Sequence, residues 1–462
     1  MNLRFSGAAG SVTGSKTVIE VDKEKYLVDY GLYQGASEDR SRNWASFHGA
    51  SEISAVFLTH AHIDHSGLLP RLWKDGFRGK IYSTRETFNL CRILLADSAM
   101  IHDEDARHAN EKQYSRHKPA LPLYTSYEVE NVLSLFETVD FEKEIRISEK
   151  VSITFFWAGH ILGSSFIRLR CHDEQDNEKT LVFSGDIGHK RNILLKEPSL
   201  LCQMDYLILE STYGKKLHSR IPAKEVLGMY LNTILKRSGV AIIPSFSVGR
   251  TQDIIYLIRE LIDEKQIPEV PVVLDSPLSK KANAVFNECF CADQIKDDII
   301  KDGTIYPVTM QEIESVKESK QLSETQGPMI IISASGMIEG GRVINHIKSR
   351  IEDKNNGIIL VGYQPEGTKG RILLDGEKIL RLHKEELRVN ASIFNVNTLS
   401  AHGDYLDLIS WIRDSKINPK LIILNHGEPE DSRHFKDLIE SQLGFKTTVA
   451  SFGEEFNLDH IY

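Results

Sequence analysis

Residues 59–67 read Thr59-His60-Ala61-His62-Ile63-Asp64-His65-Ser66-Gly67 and end an apolar run, Ala55 to Thr59, that predicts a β-strand. Three imidazoles and one carboxylate therefore lie close together at the end of a strand. Because side chains alternate along a strand, His60 and His62 share a face, and a turn into the next helix lets Asp64 and His65 point back. The stretch predicts two adjacent metal sites, each taking two of these four side chains.

The ligand types indicate which metal binds and what it does. Imidazole nitrogen and carboxylate oxygen without thiolate suit zinc, manganese or iron. A structural site is more often closed by cysteines, so this set indicates a catalytic site with an open coordination position. Four side chains cannot complete two sites, and the remaining ligands must come from elsewhere in the chain.

Three later loops offer such ligands, each at the end of a predicted strand. His160 lies in a glycine-flanked loop after Val151 to Phe156, Asp186 follows the strand Thr180 to Phe183, and His426 follows Lys420 to Asn425. A single histidine or aspartate at a strand end is most often structural. Three of them in order behind the histidine cluster predict one shared metal centre, with Asp186 placed as a bridging carboxylate.

Length and charge restrict the class of protein. A chain of 462 residues is long enough for two domains of ordinary size. Its formal net charge of −9 argues against a nonspecific nucleic-acid coat protein, which would show a basic surface. A local basic groove stays compatible with this charge, because carboxylates that bind metals count as negative in the sum.

The cellular compartment can be inferred from three sequence features: the first residues, the apolar runs and the cysteines. The first residues contain no apolar leader, and the longest apolar runs, such as Met329 to Ile332, are too short to span a bilayer. The five cysteines are odd in number and scattered, which argues against a secreted disulfide framework. We expect a cytoplasmic protein with no membrane partner.

The pattern of predicted elements changes along the chain. Short β-rich runs bounded by glycine dominate the first third, with predicted helices at Thr87 to Met100 and a polar stretch, Asp103 to Lys118, that predicts an exposed helix or cover. From Ala223 onward, helices alternate with apolar strands such as Val240 to Pro244. That alternation predicts βαβ units and a parallel sheet.

Taken together, these motifs resemble the metallo-β-lactamase superfamily, and more narrowly its β-CASP ribonucleases. Three further segments resemble the extra motifs of that group, which includes the mRNA 3′-end cleavage endonuclease and bacterial RNase J: Glu210-Ser211-Thr212-Tyr213-Gly214, Ser400-Ala401-His402-Gly403-Asp404-Tyr405 and His426-Gly427-Glu428. The chain looks most like the compact prokaryotic members, since neither KH modules nor the RNase J C-terminal domain are apparent.

The resemblance implies an α/β fold, the metallo-β-lactamase αββα sandwich with an inserted β-CASP domain built on a parallel sheet. We expect the first part of the metallo-β-lactamase domain at residues 1–205, the insertion at 206–395 and the return segment at 396–462.

The resemblance also implies a role for each site residue. Two Zn²⁺ are the implied cofactors, with Mn²⁺ as an alternative. His60, His62 and His160 would hold one ion, Asp64, His65 and His426 the other, and Asp186 would bridge them. Asp29 would be a carboxylate that orients the ligands. Asp64, Glu210 and His402 would be the catalytic residues, with His402 protonating the leaving 3′-oxygen and Glu210 orienting His402.

Two loops between a predicted strand and a helix are candidates for holding the substrate backbone. Hydroxyls and backbone amides at a helix N-terminus bind phosphate well, and a nearby arginine strengthens that binding. The predicted substrate-binding residues are Ser247, Arg250, Ser335 and Gly336.

The expected function is hydrolysis of single-stranded RNA by a hydroxide shared between two metals, in an endonucleolytic or a 5′-to-3′ exonucleolytic mode. One alternative is a β-CASP DNA nuclease, although DNA-repair members carry valine where this chain has His426. Others are a metallo-hydrolase of small thioesters or lactams, and a catalytically idle RNA-binding subunit. The sequence leaves a homodimer open.

Overall fold

The computed structural model describes residues 1–35, 37–113, 115, 117–172, 177–290, 293–382 and 385–459. The chain forms two compact units. The first comprises Met1–Leu217 and His402–Tyr462, and the second comprises His218–Ala401. No helix in the described ranges is both long enough and apolar enough to cross a membrane.

The described strands, in chain order, are β1 (Asn2–Phe5), β2 (Thr17–Val21), β3 (Glu24–Val28), β4 (Ile53–Phe57), β5 (Lys80–Thr84), β6 (Phe136–Val139), β7 (Ile145–Arg146), β8 (Val151–Trp157), β9 (Ser165–His172), β10 (Glu178–Phe183), β11 (Tyr206–Glu210), β12 (Val240–Pro244), β13 (Val272–Leu274), β14 (Met310–Glu312), β15 (Met329–Ser333), β16 (Gly357–Leu360), β17 (Ile379–Leu382), β18 (Glu385–Arg388), β19 (Ser392–Asn395), β20 (Leu421–Asn425), β21 (Thr447–Val449) and β22 (Glu455–Asn457).

The described α-helices are α1 (Ser37–Ser41), α2 (Ile63–Ser66), α3 (Leu69–Lys74), α4 (Arg85–Lys112), α5 (Ser126–Leu133), α6 (Ala223–Leu235), α7 (Arg250–Asp263), α8 (Pro277–Glu288), α9 (Asp297–Asp302), α10 (Val316–Glu324), α11 (Val343–Arg350), α12 (Lys369–Leu374), α13 (Tyr405–Asp414) and α14 (Pro429–Leu443). Two short 3₁₀ turns, Arg42–Trp44 and Ala50–Glu52, lie between α1 and β4.

The first unit is an αββα sandwich. One seven-stranded sheet has the order β22-β1-β2-β3-β4-β5-β6, and the other has the order β21-β20-β11-β10-β9-β8-β7. Apolar side chains from both sheets, such as Phe57 and Phe155, form one buried core. Helix α4 packs against β5 and β6, and α13 and α14 cover the second sheet through residues that include Trp411 and Phe435.

The second unit is built on a six-stranded sheet with the order β14-β13-β15-β12-β16-β19, and each pair of neighbours is parallel. Strands β12 and β15 are buried along their whole length. Continuous apolar strands of this kind are typical of parallel sheets that carry helices on both faces. The expected α/β fold, a sandwich with an inserted parallel-sheet domain, is confirmed.

Helix α4 differs from its prediction. The sequence predicts a helix that ends near Met100, followed by a separate polar stretch, but the structure has one helix from Arg85 to Lys112. Beyond Met100 it buries only the small side chains Ala106 and Ala109, and alanines give a weak hydrophobic signal. Tyr114 and Arg116, which belong to the same predicted polar stretch, lie outside the described residues.

Parallel pairing in the second sheet of the first unit gathers three motif residues at one edge. Strand β11 pairs in parallel with β10 on one side and with β20 on the other. Their carboxyl ends therefore meet, which brings together Asp186 after β10, Glu210 at the end of β11 and His426 after β20. Residues far apart in sequence thus lie beside one another.

Candidate metal centre

A first group of candidate ligands surrounds His62, the N-cap residue of helix α2. The Nε2 atoms of His60 and His160 each lie 3.1 Å from Nδ1 of His62. Oδ2 of Asp186 lies 3.4 Å from Nε2 of His60 and 3.5 Å from Nε2 of His160. Each of the four residues offers a ligand atom, and these atoms lie within 4.8 Å of one another.

A second group lies on the other side of Asp186. Nε2 of His65 is 3.1 Å from Nε2 of His426, which is itself 3.7 Å from Oδ2 of Asp64. Oδ1 of Asp186 is 3.3 Å from Nε2 of His65 and 3.7 Å from Nδ1 of His426. Each carboxylate oxygen of Asp186 thus faces a different group, the arrangement that a bridging ligand requires.

The donor atoms fit metal ions better than they fit one another. Oδ1 of Asp186 is buried with no hydrogen-bond partner among the described residues, and burying such an atom unpaired costs free energy. Burial, followed by neighbouring histidines, lowers the pKa of His160 and brings the pKa of His62 to about 3. Neutral imidazole is the form that binds a metal, and the set contains no thiolate.

Asp29 supports the second group from behind. Its side chain is 2% exposed, and Oδ2 lies 2.7 Å from Nδ1 of His65. Oδ1 accepts a hydrogen bond from the backbone N–H of Thr59 at 2.8 Å. Because the carboxylate occupies Nδ1, the ring is turned so that Nε2 points toward His426 and Asp186, as expected for a carboxylate that orients a metal ligand.

Two glycines allow the loops of the site to pack backbone against backbone. A Cβ atom at Gly31 would lie 1.5 Å from the carbonyl oxygen of Asp64, and one at Gly188 would lie 1.9 Å from that of Gly159. No side chain fits at either position. Glycine is therefore required for Asp64 and Asp186 to reach their places.

His402 and Glu210 form a pair beside the first group. Nδ1 of His402 lies 3.0 Å from Oε2 of Glu210, and its Nε2 lies 3.8 Å from Oδ2 of Asp186. Burial alone lowers the pKa of His402, but the carboxylates of Glu210 and Asp186 outweigh burial and raise it to about 9. The two carboxylates thus favour the protonated imidazole, on a ring directed toward the candidate ligands.

Arg191 connects the loop after Asp186 to the start of helix α13 through hydrogen bonds. The sequence analysis did not identify this residue. Its guanidinium donates to both carboxylate oxygens of Asp407, at 2.9 and 2.7 Å, and to the buried Asp404 at 3.4 Å. The backbone N–H of Gly403 also donates to the carbonyl oxygen of Ile187. The segment that carries His402 is thus held against the loop that carries Asp186.

The four predicted substrate-binding residues lie in the second unit, after the adjacent strands β12 and β15. Ser247 is buried, and Arg250 begins α7 and pairs with Asp253 at 3.1 Å. The hydroxyl of Ser335 accepts a hydrogen bond from the backbone N–H of Glu339. Gly336 lies beside the ring of Phe246, a residue that sequence reasoning did not single out.

Comparisons with known proteins identify the family. The metallo-beta-lactamase superfamily domain model matches residues 18–212, the Beta-Casp domain model matches 251–373, and the model of a Zn-dependent metallo-hydrolase RNA specificity domain matches 386–450. Ribonuclease TTHA0252 of Thermus thermophilus is 30% identical over 455 residues, which cover 97% of this chain and 98% of that protein.

Further relatives are longer than this chain. Transcription termination factor FttA of Lokiarchaeum is 28% identical, with 96% of this chain and 69% of that protein covered, and FttA of Methanocaldococcus jannaschii is 29% identical, with 100% and 71% covered. A protein of unknown function from Enterococcus faecalis shares the fold at a TM-score of 0.53 and 15% identity, covering 98% of this chain and 99% of that one. The chain belongs to the β-CASP family of the metallo-β-lactamase superfamily and is a metal-dependent hydrolase.

Proposed function

We propose that this protein is a cytoplasmic ribonuclease that hydrolyses phosphodiester bonds of single-stranded RNA with two bound zinc ions. The observation that carries the proposal is the His402–Glu210 pair, in which the His402 ring is directed toward Asp186, beside two groups of candidate ligands. A general acid next to a metal centre is what cleavage of a phosphodiester with a poor alkoxide leaving group requires.

The two groups of side chains support a proposed set of metal ligands. His60, His62 and His160 would hold one ion, Asp64, His65 and His426 the other, and Asp186 would bridge them. When bound, the ions would lower the pKa of a water nucleophile and neutralise charge on the phosphate. Manganese suits the same nitrogen and oxygen donors.

The chain's own residues would control the proton and the ligand geometry. His402 donates its Nε2 proton to the leaving 3′-oxygen while Glu210 keeps Nδ1 occupied, so the ring presents one nitrogen in one orientation. Asp64 stays ionised, because His426 and His65 outweigh burial and lower its pKa below the ordinary value. Asp29 fixes the ring of His65. Ser247, Arg250, Ser335 and Gly336 would hold the RNA backbone.

RNA is favoured as the substrate by two findings. The model of an RNA specificity domain matches residues 386–450, and the relative covered along nearly its whole length is called a ribonuclease. A histidine at position 426, where DNA-repair members of the family carry valine, points the same way.

The test uses short single-stranded RNA, labelled at either end, and the DNA of the same sequence. Zinc-loaded protein should cut the RNA, a chelator should abolish the cutting, and His402→Ala should slow it about 100-fold or more. His434→Ala serves as the matched control, because His434 is an exposed histidine of α14 outside the site. The two labels distinguish internal cleavage from 5′-to-3′ trimming. Cleavage of DNA but not of RNA would refute the proposal.

A further inference from the structure

The carboxyl ends of the neighbouring strands β12 and β15 in the second unit are a point of the sheet where a ligand-binding crevice is expected. From β12 the chain runs through α7 to β13, which is the neighbour of β15 on its far side from β12. From β15 the chain runs through α11 to β16, which is the neighbour of β12 on its far side from β15. The two connections therefore run in opposite directions along the sheet. Right-handed connections that run in opposite directions lie on opposite faces of a sheet. The loops after these two neighbouring strands therefore diverge, and ligands of open α/β sheets bind where such loops diverge.

Phe246 occupies this position with much of its ring exposed. It follows β12 directly after Ser245, and 42% of its surface is open to solvent. A Cβ atom at Gly336, in the loop after β15, would lie 3.1 Å from the ring, and one at Gly362, after β16, would lie 3.6 Å from it. The ring thus rests on the backbone of two glycines from the two strands that flank β12.

The support beneath the ring is held in place by hydrogen bonds. The side-chain amide of Gln364, which is buried, donates to the carbonyl oxygens of both Gly336 and Gly362 at 3.1 Å. The hydroxyl of Thr251 donates to the carbonyl oxygen of Phe246 at 2.7 Å. An exposed aromatic ring fixed in this way loses little conformational entropy when it binds a ligand.

We infer that Phe246 is a stacking platform for one base of single-stranded RNA, an inference that rests on the proposed ribonuclease function. An exposed, fixed aromatic ring at a ligand-binding edge suits a planar aromatic ligand, and stacking accepts any of the four bases. The ring is beside the loop of Ser335 and Gly336, so one site would take a base and its neighbouring phosphate. Tyr363, 55% exposed and next to Gly362, offers a second aromatic side chain in the same group of loops.

Fluorescence anisotropy with short single-stranded RNA tests the inference in a zinc-loaded His402→Ala background, where cleavage is slow. We expect Phe246→Ala and Phe246→Leu to weaken RNA binding about 5- to 150-fold, the range for loss of one base–aromatic stack, and Phe246→Trp to retain binding. Val308→Ala, a change at an apolar residue of the same unit that is 97% exposed, should leave binding unchanged. Zinc content and circular dichroism confirm that each variant is folded.

A double-mutant cycle separates stacking from a general effect on the loop. 2-Aminopurine placed at successive positions identifies the stacked base by fluorescence quenching, and an abasic residue is then introduced there. The abasic RNA and Phe246→Ala should each weaken binding, and together they should weaken it no more than either alone. Additive effects, or tight binding by Phe246→Leu, would overturn the inference and leave the ring as a surface for a protein partner.

The same experiment distinguishes failure of the inference from failure of the proposed function. RNA that binds the wild-type protein without being cut contradicts the ribonuclease proposal, while the cycle still decides whether Phe246 stacks a base. Absence of RNA binding by the wild-type protein overturns both.

Discussion

Replacing Asp29 with asparagine removes the negative charge behind His65 while it keeps the size of the side chain. In the wild-type protein, Oδ1 of Asp29 lies 2.8 Å from the backbone nitrogen of Thr59, and Oδ2 lies 2.7 Å from Nδ1 of His65. In the variant, the amide oxygen can still accept from the N–H of Thr59, but an NH₂ group faces Nδ1 of His65. When Nε2 of His65 binds a metal, Nδ1 carries the proton, so two donors would oppose each other. A hydrogen bond to a charged group contributes about 1.5–3 kcal/mol. We therefore expect Asp29→Asn to weaken binding of the second ion about 10- to 100-fold.

Competition with a chromophoric zinc chelator measures this effect at neutral pH, one ion at a time. Ser15→Ala is the matched control, because its hydroxyl approaches the same carboxylate oxygen only weakly, at 3.4 Å. That variant should bind both ions nearly as the wild-type protein does. The reasoning is refuted if Asp29→Asn binds two ions with wild-type affinity, or if Ser15→Ala loses as much affinity as Asp29→Asn.

Three other predictions concern stability and positioning. Burial and, to a smaller extent, the charge of Arg42 lower the pKa of Lys16 from 10.5 to about 7. Between these two pH values the folded protein has released a proton that the unfolded chain keeps. The stability of the wild-type protein therefore rises between pH 7 and about pH 10.5. The lowered pKa corresponds to about 4–5 kcal/mol of destabilisation at pH 7, and loss of the Lys16 contacts with the rings of Tyr30 and Tyr33 offsets part of the gain on its removal. Lys16→Met should accordingly be more stable than wild type by about 2–4 kcal/mol at pH 7, and urea unfolding should show this gain shrinking toward pH 10. An equal gain at both pH values contradicts the account. Arg191→Ala should lower kcat only about 5- to 10-fold, because solvent screens the exposed part of its ion pair. KM should stay unchanged, because Arg191 has a positioning role and does not bind substrate. Arg191→Lys should recover part of the lost kcat, and a change confined to KM would exclude a positioning role. Gly188→Ala should abolish zinc binding, because its Cβ atom would collide with the backbone of Gly159, and full zinc occupancy in the purified variant would be inconsistent with the site described.

Residues at strand ends were predictable because a local pattern marks them. An apolar strand followed by closely spaced histidines identifies His60, His62 and His65 without further information, and the structure brings His160, Asp186 and His426 to them. The apolar run Val240 to Pro244 also gave the bounds of β12 directly, since a fully buried strand is apolar at nearly every position.

Pairs that depend on the course of the whole chain were not predictable from local pattern. His402 lies 192 residues from Glu210, and Arg191 lies 213 residues from Asp404. Only family resemblance linked the first pair, and nothing linked the second, because a charged loop residue has many possible partners. Phe246 was overlooked for a related reason, since only the sheet order shows that its loop and that of Gly336 are neighbours. The bounds of the inserted domain, 206–395, stay a prediction.

The central claim is that His402 protonates the leaving 3′-oxygen, and an RNA with sulfur in place of that oxygen tests it most directly. A thiolate leaves without a proton, so the need for a general acid disappears. We predict that His402→Ala slows cleavage of ordinary RNA by about 100-fold or more and cleaves the sulfur-containing RNA at nearly the wild-type rate. An equal loss of rate on both substrates would contradict the claim and leave His402 with a purely structural role.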